Sequence, residues 1–501
     1  MAGCFFVLLW IFMDYSQAFS AAPKKWNSDG VAITAAAYTQ VGAVAATDQA
    51  MGAILVWIDL RDENRFSDIY GQRVDNTGKM VWQENGIPLI RANNLRGEPA
   101  AHGSPSIAPD GMGGAIFTWT DNRSLQGDVY AQRIDGSGKI KWQVNGVPVC
   151  TACWPGKDCN NSKHDPQIIG DGAGGGIITW YEMREGLHFS IWAQRVNGSG
   201  EVLWQANGIP IAYGVFDADS PKIVANGNGG AIIVWQDNRN EVCHYYAQQV
   251  DANGVCLWPK NGVEIFSVIA HGDPLGFSIC ADGYGGVVVS WTDSRKGDSS
   301  ETDIYAQRLN SKGQTQWTDN GIPICTRQKH QSSPALSVDQ TGGAFMVWED
   351  GGASPEGSGE QWIYAQHVTG TGQILWELDG KAIHQHHSHN PKIISDGGKG
   401  AIVVWDSVEI IDPGTHKPTI LSQHLTGSGR MLWPVGGFVV YSQIGNYLFG
   451  PQIISDGVGG AIVHWTDYRN PGPFWDIYAQ RIFSEPVQYT VLPWMPLLLG
   501  D

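Results

Sequence analysis

The chain has 501 residues, of which 42% are hydrophobic and 16% charged, with 64 glycines, 22 tryptophans and a formal charge of −17. This composition supports a large, turn-rich globular core and not a disordered chain. The negative charge excludes nucleic acid as a partner, because phosphates need a basic face, and argues equally against an anionic membrane surface.

Residues 5–13, Phe-Phe-Val-Leu-Leu-Trp-Ile-Phe-Met, form an apolar stretch too short to span a bilayer, so no membrane span is expected there. Ser16-Gln-Ala18 and Ala18-Phe-Ser20 follow as small-residue cleavage sites. Residues 1–20 therefore read as a secretory signal peptide, although the segment before the apolar run lacks Lys and Arg. The expected location is extracellular, at a cell surface or in a periplasm. Seven cysteines would remain, and Cys150, Cys153 and Cys159 share one loop. In an oxidising compartment a local disulfide fits that loop better than a metal site, since no fourth ligand stands at a recognisable spacing.

From residue 24 to 483 the chain repeats one unit eight times. One tryptophan series runs Trp57, Trp119, Trp180, Trp235, Trp291, Trp348, Trp405 and Trp465; the other runs Trp26, Trp82, Trp142, Trp204, Trp258, Trp317, Trp376 and Trp433. Their spacing of 54 to 62 residues leaves no segment for a second domain. Each unit reads as four short strands. In the fourth unit these are Pro221 to Ala225, the apolar run Ala231 to Trp235, the alternating Tyr246 to Val250, and a strand from about Val255 through Trp258 to Ile265. Asp-Gly-x-Gly-Gly and Asp-x-x-Gly supply the turns. The eighth unit has three strands and no following Trp-x-x-Asn-Gly, whereas Trp26 to Ile33 precedes any first strand. The sequence thus predicts an all-β, eight-bladed β-propeller of four-stranded blades, closed by the N-terminal strand, which removes open sheet edges. A monomeric ring is expected. Residues 484–501 form an apolar tail twice interrupted by proline.

The units resemble a group of secreted bacterial propeller-repeat proteins built on Asp-Gly-x-Gly-Gly-Ala-Ile-x-x-Trp-x-Asp-x-Arg … Asp-Ile-Tyr-Ala-Gln-Arg, often found beside sorting or adhesion modules. The resemblance covers residues 24–483 and implies no uniform activity. Val74-Asp-Asn-Thr-Gly78-Lys-Met-Val-Trp82 is similar to the tryptophan-docking turns of eight-bladed quinoproteins. That likeness stops at the turn, because the adjacent-cysteine pair of those enzymes is missing.

Function is expected on the face that carries the 2-to-3 loops and the blade-to-blade linkers, where loop length varies. The recurring Asp/Arg pairs, such as Asp59/Arg61 and Asp293/Arg295, read as salt bridges within blades, since a catalytic pair is needed only once. One Asp per glycine turn supplies too few oxygens for calcium. Histidine is the less regular signal. His102, His164, His271, His330 and His389 each stand two to four residues before the proline of the next innermost strand, and imidazoles converging at a channel mouth would take zinc or copper. His384, His386, His387 and His389 form a local cluster beside a long loop containing His416, and are the candidate binding residues. These features favour a binding or scaffold module for glycan or protein, with no assigned catalytic residue. The alternative is a metal-dependent oxidoreductase, or a polysaccharide-acting hydrolase or lyase, sited near blades 6 and 7, where the repeat loses its Asp-x-Arg.

Overall fold

The computed structural model describes residues 23–484 apart from 62–66, 92–102, 104, 125–126, 152–162, 185–187, 215–216, 240–243, 268–275, 296–300, 352–360, 413–414, 446 and 471–473. The segment expected to be a signal peptide and the apolar tail lie outside the described residues, as do His102 and His271. Every regular element in it is a strand, and none of the described residues forms a helix long and apolar enough to cross a membrane.

The strands form eight antiparallel sheets, one per repeat, arranged in a ring. Blades 1 to 8 span residues 40–90, 106–150, 163–212, 218–267, 277–325, 331–384, 388–442 and 448–483. Outside the extended end of blade 7, the second strand of each blade is covered on both faces and is almost wholly buried, which is why Ala53–Asp59 and its equivalents are continuous apolar runs. The fourth strand differs from expectation. In blade 4 it is confined to Val263–Ser267, preceded by a single bridge between Val250 and Cys256. Asn261 and Gly262 both take positive φ, so the chain steps away from the sheet before rejoining it. The buried Gln248 fills the gap: its Oε1 accepts from Trp258 N at 2.9 Å and its Nε2 donates to Pro259 O at 2.9 Å. Gln72, Gln132, Gln194, Gln307, Gln366, Gln423 and Gln480 do the same in the other blades.

Two networks hold the repeat together. Within a blade, Asp59 closes the end of the second strand. Trp57 Nε1 donates to its Oδ2 at 2.8 Å, and Arg61 donates to both carboxylate oxygens at 2.8 and 2.6 Å. Arg61 also donates to Asn85 O at 2.8 Å and stacks 3.9 Å above Tyr70. Gly86 must be glycine here, because a Cβ would stand 2.5 Å from the Trp57 ring at a φ of +83°. We call this cluster the brace; Asp121/Arg123, Glu182/Arg184, Asp237/Arg239, Asp293/Arg295 and Asp467/Arg469 repeat it. Between blades, a single turn carbonyl receives two donors from the preceding blade. Gly136 O accepts from Arg73 Nη1 at 3.0 Å and Trp82 Nε1 at 3.1 Å, while Arg73 also pairs with Asp48 of its own blade at 2.9 Å.

The ring closes through the N-terminal segment. Val31–Thr34 pairs with Ile477 to Ala479 as the fourth strand of blade 8, and Lys24–Lys25 pairs with Phe483 and Ile482. The same contacts recur across this seam: Arg469 Nη1 donates to Asp29 O at 2.7 Å, and Trp26 Nε1 donates to Asn76 O of blade 1 at 2.9 Å.

One buried residue breaks the pattern. His464 occupies a second-strand position held by Val56, Val234, Val347 and Val404 in other blades and is 3% exposed. Burial pushes its imidazole down to about 4.

Deleting residues 1–34 removes the outer strand of blade 8 and half of each seam contact, so the single melting transition of the ring should fall by roughly 10 °C or more; calorimetry of the truncated chain checks this. The His464 value lies below that of an unfolded histidine, so the unfolded state binds the proton first. The stability this residue confers is complete above about pH 6.5 and is lost as pH falls toward 4. His464→Val should remove on the order of 3 kcal/mol of that acid sensitivity, measured as urea midpoints from pH 7 to pH 4.

Candidate functional site

The brace is absent from blade 7. Its second strand runs Gly400–Asp412 and its third Thr415–Thr426, a hairpin extended well beyond those of the other blades. Where blade 1 has Trp57, Asp59, Arg61, Tyr70 and Asn85, blade 7 has Trp405, Ser407, Glu409, Leu421 and Gly436. The carboxylate, the guanidinium and the stacking ring are all replaced, and Trp405 Nε1 is buried without a hydrogen-bond partner. Blade 6 is an intermediate case: it retains Asp350, and Arg327 from the end of blade 5 lies 4.3 Å above Tyr364 in place of the repeat arginine.

Losing these side chains leaves a cavity of about 720 Å³ on the loop face between blades 6 and 7. One wall is the linker His384, His386 and His387; the other is the hairpin, with Ser407, Glu409, Lys417 and Thr419 beside Val408, Ile410 and Leu421. His384 stands where the brace would be, its ring 5.6 Å from Trp405 and 5.4 Å from His386, with Nδ1 2.8 Å from Ser388 Oγ. Burial, reinforced by the neighbouring His386, pushes the His384 imidazole down to about 4, so it serves as a neutral hydrogen-bonding group at ordinary pH. Ser407 Oγ donates to His387 O at 2.9 Å, fixing the linker to the hairpin, and Lys417 pairs with Glu409 at 3.1 Å along the rim.

The predicted histidine cluster therefore divides. His384, His386 and His387 share the cavity. His416 is exposed near the hairpin tip, where its carbonyl accepts from Gly445 N at 3.0 Å. His389 is directed elsewhere, with Nδ1 2.9 Å from Gln361 Oε1 and 3.8 Å from Glu349; bonding to Glu349 raises its imidazole against the effect of burial.

Each described linker histidine has a partner of its own. His164 stacks on Tyr181 at 5.0 Å, and His330 Nδ1 lies 2.6 Å from Thr302 Oγ1. Burial lowers His330. Among the described residues no group of three or more His, Cys, Asp or Glu could hold a metal ion. Cys150 is buried, its Sγ 3.8 Å from Glu182 Oε1, and Cys153 and Cys159 lie outside the described residues.

Sequence reasoning placed ligand binding on loop 407–419, which contains Ser407, Glu409 and Lys417, without singling these residues out, and missed Leu421 beyond it. Their signal is the simultaneous departure of one repeat from the brace. It also missed Glu349 and Asp406, the only acids directly following a tryptophan of the second-strand series; the other blades have Ile58, Thr120, Tyr181, Gln236, Thr292 and Thr466. Asn390 joins the two, its backbone N donating to Glu349 at 2.8 Å and its Nδ2 lying 3.2 Å from both Asp406 oxygens. Burial raises the Asp406 carboxyl above its usual range, although Asn390 and His389 oppose the shift.

Fold and cavity together define an eight-bladed β-propeller with one modified blade. No known family description matches the chain, and no curated protein matches it in sequence. Its likeness to solved structures is one of fold. A puromycin-hydrolyzing peptidase from Mycobacterium tuberculosis is 11% identical over 89% of this chain, with a TM-score of 0.40, and this chain spans 61% of it. An alpha-L-arabinanase from Penicillium chrysogenum, complexed with arabinobiose, is 10% identical over 90% of this chain and 98% of its own, with a TM-score of 0.31. The microbial sialidase Hz136 is 11% identical over 68% of this chain and 71% of its own, with a TM-score of 0.35.

Rebuilding the brace tests how the cavity arises. Ser407→Asp alone buries a carboxylate without its arginine and should destabilise the protein by about 1–3 kcal/mol. Adding Glu409→Arg and Leu421→Tyr should recover that loss, raise the melting temperature to at least the original value, and fill the cavity in a crystal structure of the triple variant.

Proposed function

We propose that this protein is a secreted binding propeller that takes a glycan into the blade 7 cavity. The observation that carries this reading is the coincidence of three features in one blade: loss of the brace, extension of the hairpin, and an open cavity on the loop face. Its lining alternates hydrogen-bonding side chains (His384, His386, Ser407, Thr419) with apolar ones (Val408, Leu421), which suits a ligand whose hydroxyls and ring faces must both be met. The apolar segment 5–13 and the cleavage sites that follow it support export, where glycans are encountered.

A glycan array probed with the purified chain should give binding that the triple variant Ser407→Asp, Glu409→Arg, Leu421→Tyr loses by at least roughly tenfold, corresponding to about 1.4 kcal/mol. Unchanged binding by a folded triple variant would remove the cavity from the reading. His384→Phe, which preserves ring packing on Trp405 but removes the nitrogens, should weaken binding without lowering the melting temperature.

A second reading rests on Glu349 and Asp406. Two carboxylates held by one asparagine, with the half-buried Asp406 retaining its proton to higher pH, form the kind of pair that general acid catalysis of glycoside hydrolysis requires. If the protein cleaves the glycan it binds, Glu349→Gln and Asp406→Asn should each reduce release of reducing ends by roughly a hundredfold or more while leaving array binding intact. Wild-type protein that binds but releases no reducing ends restricts the function to binding.

A further inference from the structure

One register pair in blade 3 departs twice from the repeat. The innermost strand of a blade places one residue opposite the brace carboxylate, or opposite the residue that stands for it. That residue is Gln40 in blade 1, Ala218 in blade 4, Gln331 in blade 6, Ser388 in blade 7 and Leu448 in blade 8. In blade 3 it is Lys163, opposite Glu182. Among the described residues Lys163 is the only charged side chain at this position, and Glu182 is the only brace acid that is not aspartate.

Lys163 is 0% exposed, and its Nζ donates to Oδ1 of Asp128 in blade 2, itself 3% exposed, at 3.0 Å. Ser124 Oγ donates to the other oxygen, Asp128 Oδ2, at 2.6 Å. The backbone holds the two blades in this relation, since Lys163 N donates to Gly127 O at 2.9 Å. Glu182 is one methylene longer than aspartate, and the extra length divides its carboxylate. Oε1 accepts from Trp180 Nε1 at 3.1 Å and from Arg184, whereas Oε2 is buried without a hydrogen-bond partner. In blade 1 both oxygens of Asp59 are used by Trp57 and Arg61. Partners in an antiparallel register lie on one face with Cβ atoms about 5 Å apart. That face looks toward blade 2: Lys163 meets Asp128, and Glu182 Oε1 lies 3.8 Å from Cys150 Sγ. Cys150 in turn pairs in register with Val129, the residue after Asp128, so amine, acceptor carboxylate and spare carboxyl oxygen share one dry space between the blades.

We propose that Lys163 and Asp128 condense to an isopeptide bond, a covalent staple between blades 2 and 3, with Glu182 as the proton carrier. Glu182 Oε2 takes a proton from the Lys163 ammonium and passes it to Asp128 Oδ2, and the neutral amine attacks Asp128 Cγ. The Nζ–Cγ bond forms, a second Nζ proton follows the same route, and the Cγ–Oδ2 bond breaks to release water. Oδ1 remains as the amide carbonyl, and Glu182 ends as it began. One ammonium and one carboxylate thus give one amide and one water, with no change of oxidation state. Confinement supplies the effective concentration that a free amine and acid lack, and the product removes two charges from a buried site. The staple is separate from the blade 7 cavity and does not depend on it.

The purified, folded chain is denatured, reduced and digested with trypsin, and the peptides are weighed. Trypsin should fail to cleave after Lys163, and segment 124–133 should be recovered joined to segment 158–184 at a combined mass lower by one water. Recovery of the two segments unlinked, with cleavage after Lys163, overturns the proposal. Lys163→Gln, which installs the residue of blades 1 and 6, should abolish the linked species while the ring still folds. Glu182→Asp, which restores the brace acid of the other blades and commits both oxygens to it, should slow linkage by roughly a hundredfold, the usual share of a positioned proton carrier. The linked fraction is followed at intervals after synthesis, and linkage as fast as in the wild type overturns the role of Glu182. Should either variant fail to fold, the wild-type peptide masses decide the bond without any substitution.

Discussion

A buried carboxylate at the end of the second strand is the constraint on which this propeller depends. Asp59 is 1% exposed, and an ionised group at that depth is tolerated only when its lone pairs are filled. Trp57 and Arg61 fill them, and the arginine in turn needs an acceptor across the blade, which Asn85 O provides. Each requirement creates the next, so replacing the carboxylate removes the reason for the rest of the brace. Blade 7 shows that outcome. With Ser407 in place of the carboxylate there is nothing to hold an arginine, the equivalent position becomes Glu409, and the space once occupied by guanidinium and tyrosine opens to the loop face. The structural exception and the candidate site share one cause.

The contacts between blades follow a different logic, because they must tolerate such exceptions. A turn carbonyl that accepts from both an arginine and a tryptophan of the preceding blade keeps one donor if the other is lost. In blade 6, His367 stands where arginine is usual, with Nε2 3.0 Å from Asp339 and Nδ1 2.9 Å from Gly427 O; Trp376 Nε1 donates to the same carbonyl at 2.9 Å. His424 pairs similarly with Asp396 at 2.9 Å in blade 7. The ring therefore remains regular through blades 6 and 7 even though their loop-face ends diverge. Rigid inter-blade packing on one face and variation on the other is the arrangement that lets a repeat scaffold carry an asymmetric site.

The innermost strands add a second asymmetry. Glu349, Asp406 and Lys392 all belong to blades 6 and 7, so these three charged groups share a sector with the cavity. Burial raises Asp406 and lowers Lys392, shifting these two groups toward their neutral forms.

Blade number, strand order, ring closure and the structural role of the recurring Asp/Arg pairs were legible in the sequence, because each depends on spacing that repeats eight times and on turn residues with fixed backbone preferences. The sector holding the site was legible too, since blades 6 and 7 depart from the repeat in plain view. Which residues meet there was decided by tertiary structure. His387 lies in the linker before the strand Ser388–Ser395 and lines the cavity, whereas His389 within that strand turns toward Glu349. Lys222 and Lys392 are separated by three repeats and look like ordinary strand lysines in the sequence. Only closure of the ring sets their innermost strands around one axis, because that arrangement is made by eight packed sheets and not by any local pattern.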